Sequence, residues 1–268
     1  MTSMSESPQP SVPEKVAIVA HGRIDVRPPV ERVRKVAAEA GVSVVEEPVD
    51  ADLTVTVGGD GTILRTLAVL LGHDVPVIGV NFGRVGFLAS ISPDRLEQDL
   101  ARVFAGEYRI LELPTLDVRL DGRKHVAVND VVTTSSILGR MVELAYAIGG
   151  EDLGTIPCDG MICSTPSGST AYNLSNGGPV LVHGLDAMAI TFIAPHSLHA
   201  RPLVVPRGSA LEVRNATADV DVCVLVDGHQ VADMHPEDEI TIALGEQRSL
   251  LATLPETTFF GRYRETFA

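Results

Sequence analysis

Through its first hundred residues the chain alternates short β-branched runs with amphipathic helical stretches, and after Pro114 that alternation stops. KVAIVA (Lys15–Ala20) reads as a strand, and PPVERVRKVAAEAG as a helix opened by proline and stopped by Gly41. VSVV, LTVTV and VPVIGV are further short strands. SPDRLEQDLARVFAG reads as a helix with Ser at its cap, Pro at N1 and Gly106 at its end. This order predicts a mainly parallel sheet covered by helices.

Beyond Pro114 the period changes. TLDVRL and RKHVAVNDVVTT are alternating segments joined by Asp121-Gly122, a strong hairpin signal. MVELAYAI, AMAITFIA, ALEVRN, DVCVLVD and EITIAL follow with little helical pattern between them, which predicts an antiparallel all-β domain. The expected architecture is therefore an α/β N-terminal domain over 15–113 and an all-β C-terminal domain over 114–253. Residues 1–14, rich in Ser, Pro and Glu, read as a disordered lead-in with neither the basic nor the apolar region of a secretory signal. The tail 254–268 holds three Phe and a Tyr, so it is expected to pack back onto the N-terminal domain.

Charge narrows the partners. Twenty-one basic against 35 acidic residues give a net charge of −14, which argues against non-specific nucleic-acid binding and against an anionic membrane surface. Cys158, Cys163 and Cys223 are odd in number and lack metal-site spacing, as expected of free thiols in a reducing cytoplasm.

The most informative turn is TVTVGGDGTILRTL, Thr54–Leu67. Here Gly58, Gly59 and Gly61 surround Asp60 between a buried strand and a helical run. It is not a Walker A loop, because Thr62-Ile63 follows the last glycine, nor a dinucleotide fingerprint, because Leu64 stands where a glycine is needed. A glycine nest at a helix N-terminus remains, able to bind phosphate through backbone N–H groups. A carboxylate beside phosphate is repulsive, so Asp60 either caps the helix or takes part in chemistry.

Two other segments stand out. CDGMICSTPSGSTAYNLSNGGPV (Cys158–Val180) crowds glycines and hydroxyls around Gly168-Ser169-Thr170, either an anion-binding turn or a Ser/Thr-rich surface loop. Asn129-Asp130 places two polar residues inside an apolar strand, which marks either buried groups that need partners or a strand end.

Taken in order, GGDGT, Asn129-Asp130 and GSTAY…Ser…Gly-Gly resemble the NAD kinases. IGVNFGRVGFLA (Ile78–Ala89) and APHSLHARPLVVP (Ala194–Pro206) extend the likeness from about Lys15 to the C-terminus. The chain has Ser167 where Thr is usual, Asn176 where Ala is usual, and Asp130 as the shorter of two permitted acids. The resemblance implies phosphoryl transfer from ATP or inorganic polyphosphate to the 2′-hydroxyl of the adenosine ribose of NAD, with a divalent cation, Mg²⁺. It implies Asp60 as the catalytic residue and Gly58, Gly59, Gly61 and Thr62 on the donor phosphates. Asn129 and Asp130 would hold the adenine and ribose. Thr170, Ala171, Tyr172 and Ser175 would line the adenosine and pyrophosphate pocket, with Ala194. Asp159 would meet the nicotinamide carboxamide, and Phe87 would form an apolar wall. It also implies a homodimer or homotetramer that shares sites between subunits. His196 and His199, spaced i, i+3, read as polar contacts near the nucleotide rather than metal ligands, since no third ligand lies near them in sequence. Two other readings compete: a GGDGT-type lipid kinase, and a catalytically silent NAD(P)-binding sensor.

Overall fold

The computed structural model describes residues 10–21, 25–82 and 86–267. The lead-in expected over 1–14 falls largely on 1–9, outside the described residues. The chain divides into two compact units, one of residues 1–113 with 248–268 and one of 114–247.

The first unit opens with β1 (Lys15–Ala20), α1 (Arg27–Glu39), β2 (Ser43–Val45), β3 (Leu53–Gly58), α2 (Asp60–Val69), β4 (Val77–Asn81) and α3 (Leu96–Phe104). β5 (Arg109–Leu120) carries the chain into the second unit. There follow β6 (Arg123–Ala127), β7 (Asp130–Ser135), β8 (Val142–Ile148), β9 (Glu151–Cys158), β10 (Gly160–Ser164), the single-turn α4 (Tyr172–Ser175), β11 (Ala187–Ile193) and β12 (Leu203–Pro206). β13 (Leu211–Asn215), β14 (Val222–Val226) and β15 (His229–Met234) precede β16 (Glu239–Thr253), which returns to the first unit, where α5 (Phe259–Phe267) ends the description.

In the first unit the parallel order is β2-β1-β3-β4, closed by the last residues of β16 through Leu251 opposite Val77. All six residues of β3 are buried, as a central parallel strand with both faces covered requires. Val16, Val55, Val57, Ile78 and Val80 meet Val33 of α1 and Leu100 of α3 in one core. Helix α1 starts at Arg27, with proline in its first turn, and the chain leaves it through Gly41 in the left-handed region (φ +74°). The tail returns to this unit. Phe87 packs its ring against Phe259 and Phe267, each at 5.8 Å, and Arg102 pairs with Glu256. The tail packs back on this unit as expected, and does so as a helix. The return lies at 247/248 rather than 254, because β16 crosses as one unbroken strand with no turn to mark the place.

In the second unit β12-β11-β10-β7-β14-β15 form an antiparallel sheet, and β8 pairs with β9 and β13. Leu116, Leu144, Met161, Met188, Val213, Val224 and Ile240 lie in one apolar core. Asp121 and Gly122 both have positive φ (+49° and +73°), the conformation of a two-residue hairpin turn between β5 and β6. The expected strand RKHVAVNDVVTT is broken. β6 pairs with β5, whereas β7 pairs with β10 and β14, so Val128-Asn129 is the corner where the chain changes sheets.

Candidate active site

β3 ends at Gly58 and α2 begins at Asp60, so the glycine turn is a single residue of extended backbone, Gly59 (φ −101°, ψ −176°). Its glycines differ in purpose. A Cβ on Gly58 would overlap the Thr62 hydroxyl and approach the His21 carbonyl at 2.8 Å, so Gly58 is required by packing. Gly59 and Gly61 face nothing within 4 Å, which leaves their backbone open to a ligand. Thr62 donates its hydroxyl to the His21 carbonyl at 3.1 Å and ties the end of β1 to the turn.

Asp60 does not cap α2; it is the first helical residue and makes no side-chain capping bond. Its carboxylate turns to the segment after β4, accepting the Phe87 N–H at 2.7 Å and the Ala89 N–H at 3.4 Å. The Leu88 N–H is shared between both oxygens at 3.3 and 3.4 Å. A Cβ on Gly86 would overlap this carboxylate, so glycine there is what lets the backbone close around it. α5 holds the same segment, because Phe87 lies against Phe259 and Phe267 and Arg262 donates to the Ala89 carbonyl. A cleft of about 690 Å³ in this unit is lined by Asn81, Phe82, Ser90, Arg95, Asp99 and Arg262 among others, and none of the expected site residues borders it.

In the second unit the remaining residues gather at the two ends of β10. At one end Ser164 pairs with Asp130. Asn129 accepts the Ser167 hydroxyl at 2.8 Å, and Gly168 packs so closely on the Asn129 carbonyl that a Cβ there would overlap it. Ser167 thus does with its hydroxyl what Thr could do equally. The glycine and hydroxyl segment is neither an anion turn with free hydroxyls nor a loose surface loop. Its hydroxyls are largely spent inward, Thr165 on the Val128 carbonyl, Ser169 on the Pro166 carbonyl and Thr170 on the Ser167 carbonyl. Thr170 and Ala171 are half-buried, while Tyr172, at 45% exposure, and Ser175 face solvent.

At the other end of β10, Asp159 precedes Gly160. Its N–H donates to the Ile193 carbonyl at 3.0 Å, beside Ala194, whose φ of +43° is strained for a residue with a Cβ. Four residue steps separate the two groups, about 13 Å along a strand. His196 and His199 are exposed, and among the described residues no three His, Cys, Asp or Glu cluster as metal ligands.

Three further residues shape the site: Asn173, Gly86 and Asp227. Asn173, fully buried, donates to the Ser169 and Pro179 carbonyls and accepts the Thr191 hydroxyl, stitching the segment to β11. Gly86, inside the segment Ile78–Ala89, makes room for the Asp60 carboxylate. Asp227, in the turn between β14 and β15, accepts three backbone N–H groups: Val128 at 2.8 Å, Asn129 at 2.7 Å and Asp130 at 3.1 Å. The Asp-Gly pair at 227–228 could have located that turn but not this bond. Asp130 is buried, and among the described residues no donor bonds to its carboxylate. Burial, and then the negative charge of Asp227, push its pKa up to about 7.

An acidic glycine turn between a parallel strand and a helix, followed by an antiparallel unit with a buried Asn-Asp corner, defines a two-unit fold distinct from P-loop and Rossmann proteins. Residues 16–108 match the ATP-NAD kinase N-terminal domain and residues 128–254 the ATP-NAD kinase C-terminal domain. NAD kinase from Heliobacterium modesticaldum is 41% identical over 219 residues, covering 80% of this chain and 77% of that one. The chain belongs to the NAD kinase family. The crystal structure of an NAD kinase from Archaeoglobus fulgidus in complex with ATP superposes with a TM-score of 0.76 at 28% identity, covering 93% of this chain and 98% of that one. Yeast NADH kinase complexed with NADH has a TM-score of 0.81 at 24% identity over 94% of this chain and 86% of that one, a likeness of fold.

Proposed function

We propose that this protein is an NAD kinase that transfers a phosphoryl group from ATP, or from inorganic polyphosphate, to the 2′-hydroxyl of the adenosine ribose of NAD, yielding NADP. The observation that carries the reading is Asp60. Its carboxylate stands at the start of α2, beside the open backbone of Gly59 and Gly61, and is held by the amides of residues 87–89 rather than used as a cap.

A carboxylate is too weak a base to deprotonate a ribose hydroxyl in the ground state. A loose phosphoryl-transfer transition state does not ask for that. Asp60 orients the hydroxyl and accepts its proton late, as the new P–O bond forms. The amide bonds hold the group still, and only the Phe87 bond is short, the other contacts lying at 3.3–3.4 Å. Gly59 and Gly61 admit the donor phosphates; Gly58 and Thr62 fix the turn that does so.

In the second unit Asn129 and Asp130 bind the acceptor adenosine. Thr170, Ala171, Tyr172, Ser175 and Ala194 line its pocket, and Asp159 meets the nicotinamide amide. Mg²⁺ is the divalent cation the family likeness implies for the donor phosphates. When bound it offsets the repulsion between phosphates and Asp60.

A homodimer or homotetramer is supported by apolar side chains left exposed on the second unit, among them Ile137, Leu138, Met141, Leu198 and Val204. Three unpaired cysteines suit the cytoplasm.

The test is incubation with NAD⁺, ATP and Mg²⁺, with NADP⁺ read by an NADP-specific dehydrogenase. NADP⁺ formed in step with ADP is the expected result. ADP release without NADP⁺, or phosphorylation of diacylglycerol instead, contradicts the reading.

A further inference from the structure

Asp227 is a carboxylate in a hairpin turn, and such residues usually bond within their own turn. This one does not. With Gly228 it forms the two-residue turn between β14 and β15, both residues at positive φ (+47° and +80°). From there its side chain spans the N–H groups of Val128, Asn129 and Asp130 at 2.7–3.1 Å, while its own N–H donates to the Asp130 carbonyl at 3.0 Å. These are the residues of the corner at which the chain leaves one sheet for the other. Their amides belong to no strand ladder there and need an acceptor. A charged acceptor shared by three donors is the strongest local solution.

We propose that Asp227 is a positioning residue for acceptor binding, which holds the 128–130 backbone in place and acts on Asp130 through its charge. The proposal rests on the reading of Asn129 and Asp130 as acceptor contacts.

The two carboxyl groups divide the burden of burial unequally. Three N–H donors favour the ionised form of Asp227 and oppose the upward push of burial there. Asp130 has no such donors among the described residues, and beside the charge of Asp227 it keeps its proton into the neutral range. Among the described residues the other titratable groups that act on the pair are Cys163 on β10, whose thiol burial keeps neutral, and His229 on the same hairpin as Asp227. A donating ribose hydroxyl binds best to the ionised carboxylate, because a charged acceptor makes the stronger hydrogen bond. NAD⁺ affinity should therefore rise as pH rises through about 7.

The test is NAD⁺ binding by calorimetry from pH 5.5 to 8.5 for the wild type, D227N, D227A and D130A. Asn tolerates the left-handed turn and keeps an acceptor for part of the corner, so D227N should fold. It lacks the charge, and its binding midpoint should move to lower pH by roughly half to one unit. At pH 8 its affinity should stay within about 3-fold of the wild type, while D227A, without the clamp, should lose about 10-fold or more. Should D227A not fold, the D227N midpoint decides alone. A purely structural Asp227 would alter affinity equally at every pH, so an unshifted D227N midpoint overturns the proposal. A D130A protein that binds NAD⁺ like the wild type overturns instead the reading of Asp130 as an acceptor contact.

Discussion

The Oδ2 atom of Asp60 accepts the backbone N–H of Phe87 at 2.7 Å. This bond, with those from Leu88 and Ala89, takes the carboxylate away from the helix terminus where a capping residue would have used it. The candidate catalytic group is thus oriented by a neighbouring segment, and that segment is open to mutation. Gly86→Ala should displace the carboxylate by steric overlap. Turnover should fall about 10²-fold, the scale of a misplacement near 1 Å, with NAD⁺ affinity within a few-fold of normal. Steady-state kinetics beside calorimetry separates the two.

Gly59 offers the contrast. Its φ of −101° suits alanine, and a Cβ there meets no protein atom within 4 Å. Gly59→Ala should leave the melting temperature within about 2 °C of the wild type and raise KM for ATP about 5-fold or more, since the methyl occupies ligand space. A drop in stability without a change in KM for ATP would place Gly59 among the packing glycines with Gly58.

The grip of α5 on the same segment predicts an effect at a distance. Phe259→Ala removes a ring 5.8 Å from that of Phe87. Thermal denaturation should show a loss of about 1–3 kcal/mol, and turnover should fall as the amides of 87–89 lose their support. Stability lost with kcat unchanged would confine α5 to packing.

Asp130 carries a pH signature in stability as well. Its pKa in the folded chain is raised to about 7 from 3.8, so the folded state holds a proton that the unfolded state has released. Stability therefore declines as pH climbs from about 4 through 7, and above 7 the full cost is present. Asp130→Asn should be more stable than the wild type at pH 8 by about 2–4 kcal/mol, with the gap closing toward pH 4, while binding NAD⁺ less well. Denaturant titrations at pH 4.5 and 8 check the sign.

What could be read from sequence follows from what is local. LTVTVGGDGT carries its strand, turn and helix start in neighbouring residues, and Asp121-Gly122 specifies a hairpin by its own dihedral needs. β9 escaped notice because its first five residues are exposed, so no apolar alternation marks it. α5 escaped because its aromatics are placed by Phe87, a distant residue. Asp60 is legible as an acid among glycines that suit a phosphate, and Asn129 and Asp130 as polar residues inside an apolar strand. Asp227 looked like an ordinary turn residue, since its work is done on a backbone ninety-odd positions away. The inward use of Thr165, Ser169 and Thr170 was hidden for the same reason: a hydroxyl in sequence does not show which carbonyl it will meet.

The central claim is that Asp60 acts on the transition state rather than on structure or binding. Single-turnover phosphoryl transfer from ATP to NAD⁺ by Asp60→Asn tests it most directly, with NAD⁺ affinity measured on the same preparation. Asn keeps one acceptor oxygen for the amides of 87–89 but cannot take up a proton, so the rate should fall about 10²-fold or more with affinity within a few-fold of the wild type. A rate near that of the wild type would reduce Asp60 to an anchor for its loop and contradict the account.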